Sequence, residues 1–197
     1  NGDVLVAEGR GGHAPRLRPK DVIAGFIKKQ GNTKISGGNR ITLLRDADND
    51  GVPELRSVLV ENLDAPYGLA YVDGYLYVAE QGALTRFAFQ PGQTGIATPA
   101  ERVTALPSRV NHHWTKSLTV GPDGTKLYVG IGSNSNIGER GLAVEEERAV
   151  VWEIDRATGA RRTIATGIRN PTALAVEPTT GLVWSVVNER DELGPQL

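Results

Sequence analysis

The sequence predicts an all-β fold, a β-propeller built from four-stranded antiparallel blades. Three observations predict it. Glycine and proline are abundant, 24 and 11 of 197 residues, and they separate short runs rich in β-branched residues. Four of those runs resemble one another: Val4-Leu5-Val6-Ala7-Glu8, Leu76-Tyr77-Val78-Ala79-Glu80, Leu127-Tyr128-Val129-Gly130-Ile131 and Leu182-Val183-Trp184-Ser185-Val186. Each follows a turn, and their first residues lie 72, 51 and 55 positions apart. A repeat near ~50 residues made of short strands is a propeller-blade period.

The elements follow in order. The first unit contains strands at 3–8, 41–45 and 55–61, with an insertion at 10–39 that lengthens the first interval. Within the insertion, Asp21 to Lys29 shows partial helical periodicity and predicts a short helix on a surface excursion. The second unit has four strands, 67–72, 75–80, 84–89 and 100–105, and the third has four, 115–120, 126–131, 149–154 and 161–166. The last has two, 172–177 and 182–187. These 13 strands make about three and a quarter blades, bounded at 1–63, 64–108, 109–168 and 169–197. Closure takes at least about four blades, and an open array leaves sheet edges and apolar faces uncovered. The chain therefore reads as part of a six-bladed propeller, roughly half, with the other half missing or present as another chain. The absence of methionine at position 1 and the almost immediate first strand also suggest an internal piece.

Composition excludes several classes. With 22 basic and 23 acidic residues the net charge is -1, so no basic excess exists to neutralise phosphates, and a general nucleic-acid binder is not expected. Apolar runs extend only a few residues, too short to span a membrane. Without cysteine there are no disulfides, thiolate metal sites or thiol nucleophiles.

Strand parity sorts the loops. Strands within a blade alternate direction, so loops from strand 2 to strand 3 share a face with the blade-to-blade connections. That face collects Glu80-Gln81, Asn111-His112-His113-Trp114, Gly132-Ser133-Asn134-Ser135-Asn136, Gly167-Ile168-Arg169-Asn170-Pro171 and Asn188-Glu189-Arg190-Asp191-Glu192, together with His13 of the insertion. Polar groups converging at a propeller's central channel form a natural ligand site. Each segment also has a plain reading as a turn or strand start, and only their convergence favours function.

The opposite face carries Asp46-Ala47-Asp48-Asn49-Asp50-Gly51-Val52-Pro53-Glu54 between two strands. Alternating carboxylates with glycine at the sixth position resemble the first half of a calcium loop. The twelfth position is Ser57 and the flanks are strands, so a helix–loop–helix calcium hand is excluded. A small calcium clip formed by Asp46, Asp48, Asp50 and Glu54 and a simple Asp/Gly-rich hairpin turn stay open as alternatives.

The segments Asn111-His112-His113-Trp114-Thr115-Lys116, Gly121-Pro122-Asp123-Gly124, Gly132 to Asn136, Gly167 to Pro171 and Asn188 to Gly194 resemble the sorbosone dehydrogenase-like family. That family groups with soluble pyrroloquinoline quinone (PQQ) glucose dehydrogenases and pyranose dehydrogenases, and the resemblance covers nearly the whole chain. It implies a six-bladed propeller with PQQ and calcium at the central channel, export to the periplasm or exterior, a sugar or aldehyde substrate and an electron acceptor. It further implies His113 as general base, with His112 where relatives often carry an orienting aspartate. Arg169 and Asn170 match a pair that contacts the quinone, with Arg169 stabilising developing charge. Asn134 falls at a cofactor contact. Arg190, Asp191 and Glu192 align with the segment beside the calcium, where backbone carbonyls are the ligands in the glucose enzymes. The competing readings are a non-catalytic propeller binding through the same face and a metal-dependent lactonase.

Overall fold

Strand β5 (Tyr75–Ala79) shows how the chain folds, because its side chains alternate between two cores. Leu76 and Val78 enter one cluster with Ile41, Leu43, Leu59, Leu63, Phe87 and Phe89. Tyr77 and Ala79 enter a second with Leu118, Leu127, Val129, Ile131, Trp152 and Ile154. A strand buried on both faces must lie in a sheet sandwiched between two others.

The protein is described here by a computed structural model covering residues 2–11, 38–109 and 112–191. The short helix expected within 21–29 lies outside the described residues. Among them are 13 strands and one 3-10 turn. The first sheet joins β1 (Val4–Glu8), β2 (Arg40–Arg45) and β3 (Leu55–Val60) in sequential order. The second joins β4 (Gly68–Val72), β5, β6 (Ala83–Ala88) and β7 (Glu101–Ala105). The third joins β8 (Lys116–Val120), β9 (Lys126–Ile131), β10 (Val150–Asp155) and β11 (Arg161–Thr166). The last pairs β12 (Pro171–Val176) with β13 (Val183–Val187). Every pairing is antiparallel. The chain is thus all-β, with strand positions within a residue or two of those predicted. The 3-10 turn, Leu142–Val144, has no counterpart in the sequence reading.

The leading strands of successive sheets stand side by side: β4 packs on β8, and β8 on β12. Gly68 permits the first approach, since a Cβ there would lie 2.5 Å from Leu118 Cβ and 2.6 Å from the Lys116 carbonyl oxygen. The outer edge of β3 is not bare. Ile96 N–H donates to the Leu59 carbonyl at 2.7 Å, and Ser57 Oγ donates to the Thr94 carbonyl at 2.9 Å, so the β6–β7 connection covers that edge. The two end sheets keep one apolar face exposed: Val4, Val6 and Val58 on the first, Leu182, Trp184 and Val186 on the last.

Candidate functional site

Side-by-side packing of β8 and β12 brings together the loops that enter them. The loop leaving β9 is stitched between both: His113 N–H donates to the Ser133 carbonyl at 3.3 Å, and Ser133 N–H donates to the Arg169 carbonyl at 2.6 Å. The segment after β13 joins the row, with Asn188 N–H donating to the Asn170 carbonyl at 2.9 Å. Parity placed these loops on one face, and the hydrogen bonds bring them into contact. Gly132 sits at the junction. A Cβ there would lie 2.5 Å from His113 Cβ and 2.7 Å from Asn170 Oδ1, so only glycine fits without displacing one of them.

His113 Nδ1 lies 2.8 Å from the Ser133 carbonyl oxygen and 3.0 Å from Ser133 Oγ. A carbonyl oxygen only accepts, so Nδ1 carries the hydrogen of the neutral ring and Nε2 keeps its lone pair. Ser133 Oγ gives its own hydrogen to the Ser135 carbonyl at 2.6 Å and is therefore an acceptor toward His113. Burial pushes the His113 pKa below the ordinary histidine value; the Ser133 hydrogen bond opposes this, and the neighbouring His112 and Arg169 reinforce it.

The His112 ring meets the His113 ring edge to face, with centroids 4.6 Å apart. The partner at His113 Nδ1 is thus Ser133; the sequence reading left the group that orients this ring open, with His112 where relatives often carry an aspartate. Asn134 is 1% exposed, and its amide is used within the loop. Its Oδ1 accepts from His112 N–H at 3.0 Å, and its Nδ2 donates to the Val144 carbonyl at 3.1 Å and more weakly to that of Arg109. Asn170 is also buried, with Thr115 Oγ1 3.5 Å from its Oδ1.

Arg169 uses all five of its N–H groups on this chain. Nε donates to the Asn136 carbonyl, one terminal nitrogen to the Asn188 and Glu189 carbonyls, and the other to Asn136 Oδ1 and to Asp191 Oδ2 at 2.7 Å. The expected quinone contact would require it to release one of these. Arg190 and Asp191 are exposed at the rim; Glu192 lies outside the described residues, as do Asn111 and His13.

Two contributors had no clear sign in the sequence. Glu145, just past the 3-10 turn, braces the rim by accepting from Asn134 N–H at 2.7 Å and from the Ser135 hydroxyl. Lys116 is fully buried at the start of β8 and donates to the Trp114 carbonyl at 3.0 Å. Burial first, then the nearby Arg148, brings its pKa down to about 7.

On the other face, one carboxylate oxygen each from Asp46, Asp48, Asp50 and Glu54 fall within 4.8 Å of one another. Backbone N–H groups shape this hairpin: Gly51 donates to Asp46 Oδ2 and Ala47 to Glu54 Oε2, both at 2.7 Å.

Antiparallel sheets stacked through leading strands, with polar loops gathered where those strands begin, define an all-β scaffold. The chain belongs to the TrAA12-like family, whose model matches residues 33–196. No curated protein sequence matches it. Among solved structures it is similar to a Trichoderma reesei carbohydrate-active enzyme of family AA12, in an iodide and a calcium structure. The TM-score is 0.68 for both, at 20% and 19% identity, covering 98% of this chain and 50% of that one. It is also similar to the holo form of the pyranose dehydrogenase PQQ domain from Coprinopsis cinerea. There the TM-score is 0.65 at 14% identity, covering 97% of this chain and 47% of that one. The chain therefore shares their fold and spans about half their length. The family matched is TrAA12-like, and the expected assignment to sorbosone dehydrogenases in particular goes beyond that match. Among the described residues no helix is long and apolar enough to cross a membrane.

Proposed function

We propose that this chain is about half of a PQQ- and calcium-dependent oxidoreductase that oxidises an aldose or sugar aldehyde, of the glucose or sorbosone type. The observation that carries the reading is His113. Its Nδ1 is committed to Ser133, its Nε2 is left as a proton acceptor, and its pKa lies below the ordinary histidine value. A neutral imidazole at the rim of a sugar-binding face is suited to take the proton of a substrate hydroxyl.

The donor set around His113 suits the two cofactors. Asp191 is engaged by Arg169 through one carboxylate oxygen, Oδ2, and its side chain is 58% exposed, so it offers a hard oxygen of the kind calcium takes. Arg190, exposed beside it, offers a cation for the carboxylates of a quinone. When bound, the quinone supplies a hydride acceptor and the calcium a Lewis acid on its oxygen. His112, Asn134 and Asn170 shape the rim beneath, in contact with the loops that hold His113. The exposed apolar faces of the first and last sheets support a six-bladed whole, in which the rest of the propeller covers them. The blade division at 63, 108 and 168 belongs to this reading, as do an electron acceptor as partner and a periplasmic or secreted location. We read Asp46, Asp48, Asp50 and Glu54 as a separate structural calcium clip.

The test is dye reduction by the full protein with a panel of aldoses and aldehydes, with and without PQQ and calcium. Sugar-dependent reduction that requires PQQ supports the proposal. Lactone hydrolysis without PQQ would replace it with the lactonase, and sugar binding without turnover would replace it with a binding module.

A further inference from the structure

We infer that Asn136 and Arg169 form a positioning clamp that fixes the 188–191 segment, and with it Arg190 and Asp191, against the rim that holds His113. Asn136 lies in the loop leaving β9, yet its side-chain amide pairs with the backbone of Asp191 on both sides. Its Oδ1 accepts from Asp191 N–H at 3.0 Å, and its Nδ2 donates to the Asp191 carbonyl at 3.4 Å. The same Oδ1 accepts from Arg169 at 2.8 Å, and the Asn136 carbonyl accepts from Arg169 Nε at 2.9 Å. Arg169 closes the ring onto the Asn188 and Glu189 carbonyls and Asp191 Oδ2, with its side chain only 7% exposed.

The segment depends on this clamp. It follows the last strand, and among the described residues its other backbone tie is the bond from Asn188 N–H to the Asn170 carbonyl. The planar fork of arginine meets several acceptors in fixed directions, which the point charge of lysine cannot do. Arg169 therefore acts through the loop it holds and is a positioning residue. The inference rests on the proposed function only for its consequence at the cofactor; the clamp is measured without one.

The experiment uses the full protein and its Asn136→Ala, Arg169→Lys and doubly substituted variants. Hydrogen exchange at the Asp191 amide is read first, with no cofactor added. Each single variant is expected to raise it by roughly tenfold, the scale of one lost hydrogen-bond set, and the double variant by less than the product of the two. PQQ affinity in the presence of calcium is read next, by quinone absorbance, and is expected to fall several-fold while the melting temperature of Asn136→Ala stays near that of the parent. Asp191 exchange in Asn136→Ala equal to the parent's overturns the clamp, and faster exchange with unchanged quinone affinity overturns its consequence at the cofactor. A parent protein that binds no PQQ overturns the proposed function and its consequence here, while the exchange result still decides whether the clamp exists. Should Arg169→Lys fail to fold, Asn136→Ala carries the decision alone.

Discussion

His113 and Ser133 are joined at both the backbone and the side chain: the His113 N–H meets the Ser133 carbonyl at 3.3 Å, and the ring Nδ1 meets the same oxygen at 2.8 Å. One carbonyl thus sets both the backbone position and the tautomer of His113. An uncharged carbonyl stabilises an imidazolium less than a carboxylate would, which agrees with the lowered pKa.

His113→Ala is expected to lower turnover with sugar by about 10²- to 10⁴-fold, the range for losing a general base, with little change in melting temperature. The parent's kcat/KM should fall on the acid side only below the ordinary histidine pKa of about 6.5, because the working form is the neutral ring and its pKa is depressed. A steady-state pH profile checks this; an acid limb above that value would contradict the assignment.

Ser133→Ala should cost much less than His113→Ala, because the carbonyl that holds Nδ1 survives the substitution. Gly132→Ala should cost more than Ser133→Ala. Its Cβ would sit 2.5 Å from His113 Cβ, so His113 or Asn170 must move. Overpacking of this kind destabilises by about 1–3 kcal/mol. Kinetics and chemical denaturation of the two variants give the comparison.

Lys116 makes stability depend on pH. The folded chain releases its proton near about 7 and the unfolded chain keeps it to the ordinary lysine value, so the unfolded state binds more protons between the two. Stability should therefore rise from pH 7 toward pH 10 in the parent, through this group, and that rise should shrink in Lys116→Met. Urea midpoints across this range measure it.

The 46–54 hairpin should bind calcium. Added calcium is expected to raise the melting temperature, chelator to lower it, and Asp46→Ala with Asp50→Ala to remove the hairpin's share of the response. The four carboxylates gather within 4.8 Å, and a ligand bound only by the folded state stabilises it by mass action. An unchanged melting temperature in the parent would leave the hairpin as an ordinary turn.

Much of this was legible in the sequence. Strands such as β5 and β9 announce themselves through period-two burial: Leu127, Val129 and Ile131 all enter one core. Strand parity placed the histidine, arginine and asparagine loops on one face because direction alternates regardless of side-chain detail. The partner of His113 was not legible, since any residue supplies a carbonyl and Ser133 carries no signature for that role. The engagement of Arg169 was hidden too, because its acceptors come mostly from main-chain carbonyls 19 to 33 positions away. Lys116 ran against expectation: a lysine opening a strand usually reaches water, whereas close packing of β4 on β8 buries this one.

The most direct test of the account is the absorbance of the bound quinone when the full protein, loaded with PQQ and calcium, is mixed with an aldose. The account predicts that the oxidised spectrum is lost rapidly in the parent and persists in His113→Ala, although both bind the quinone. Equal loss in the two proteins would contradict the role of His113, and a parent that binds no quinone would contradict the function itself.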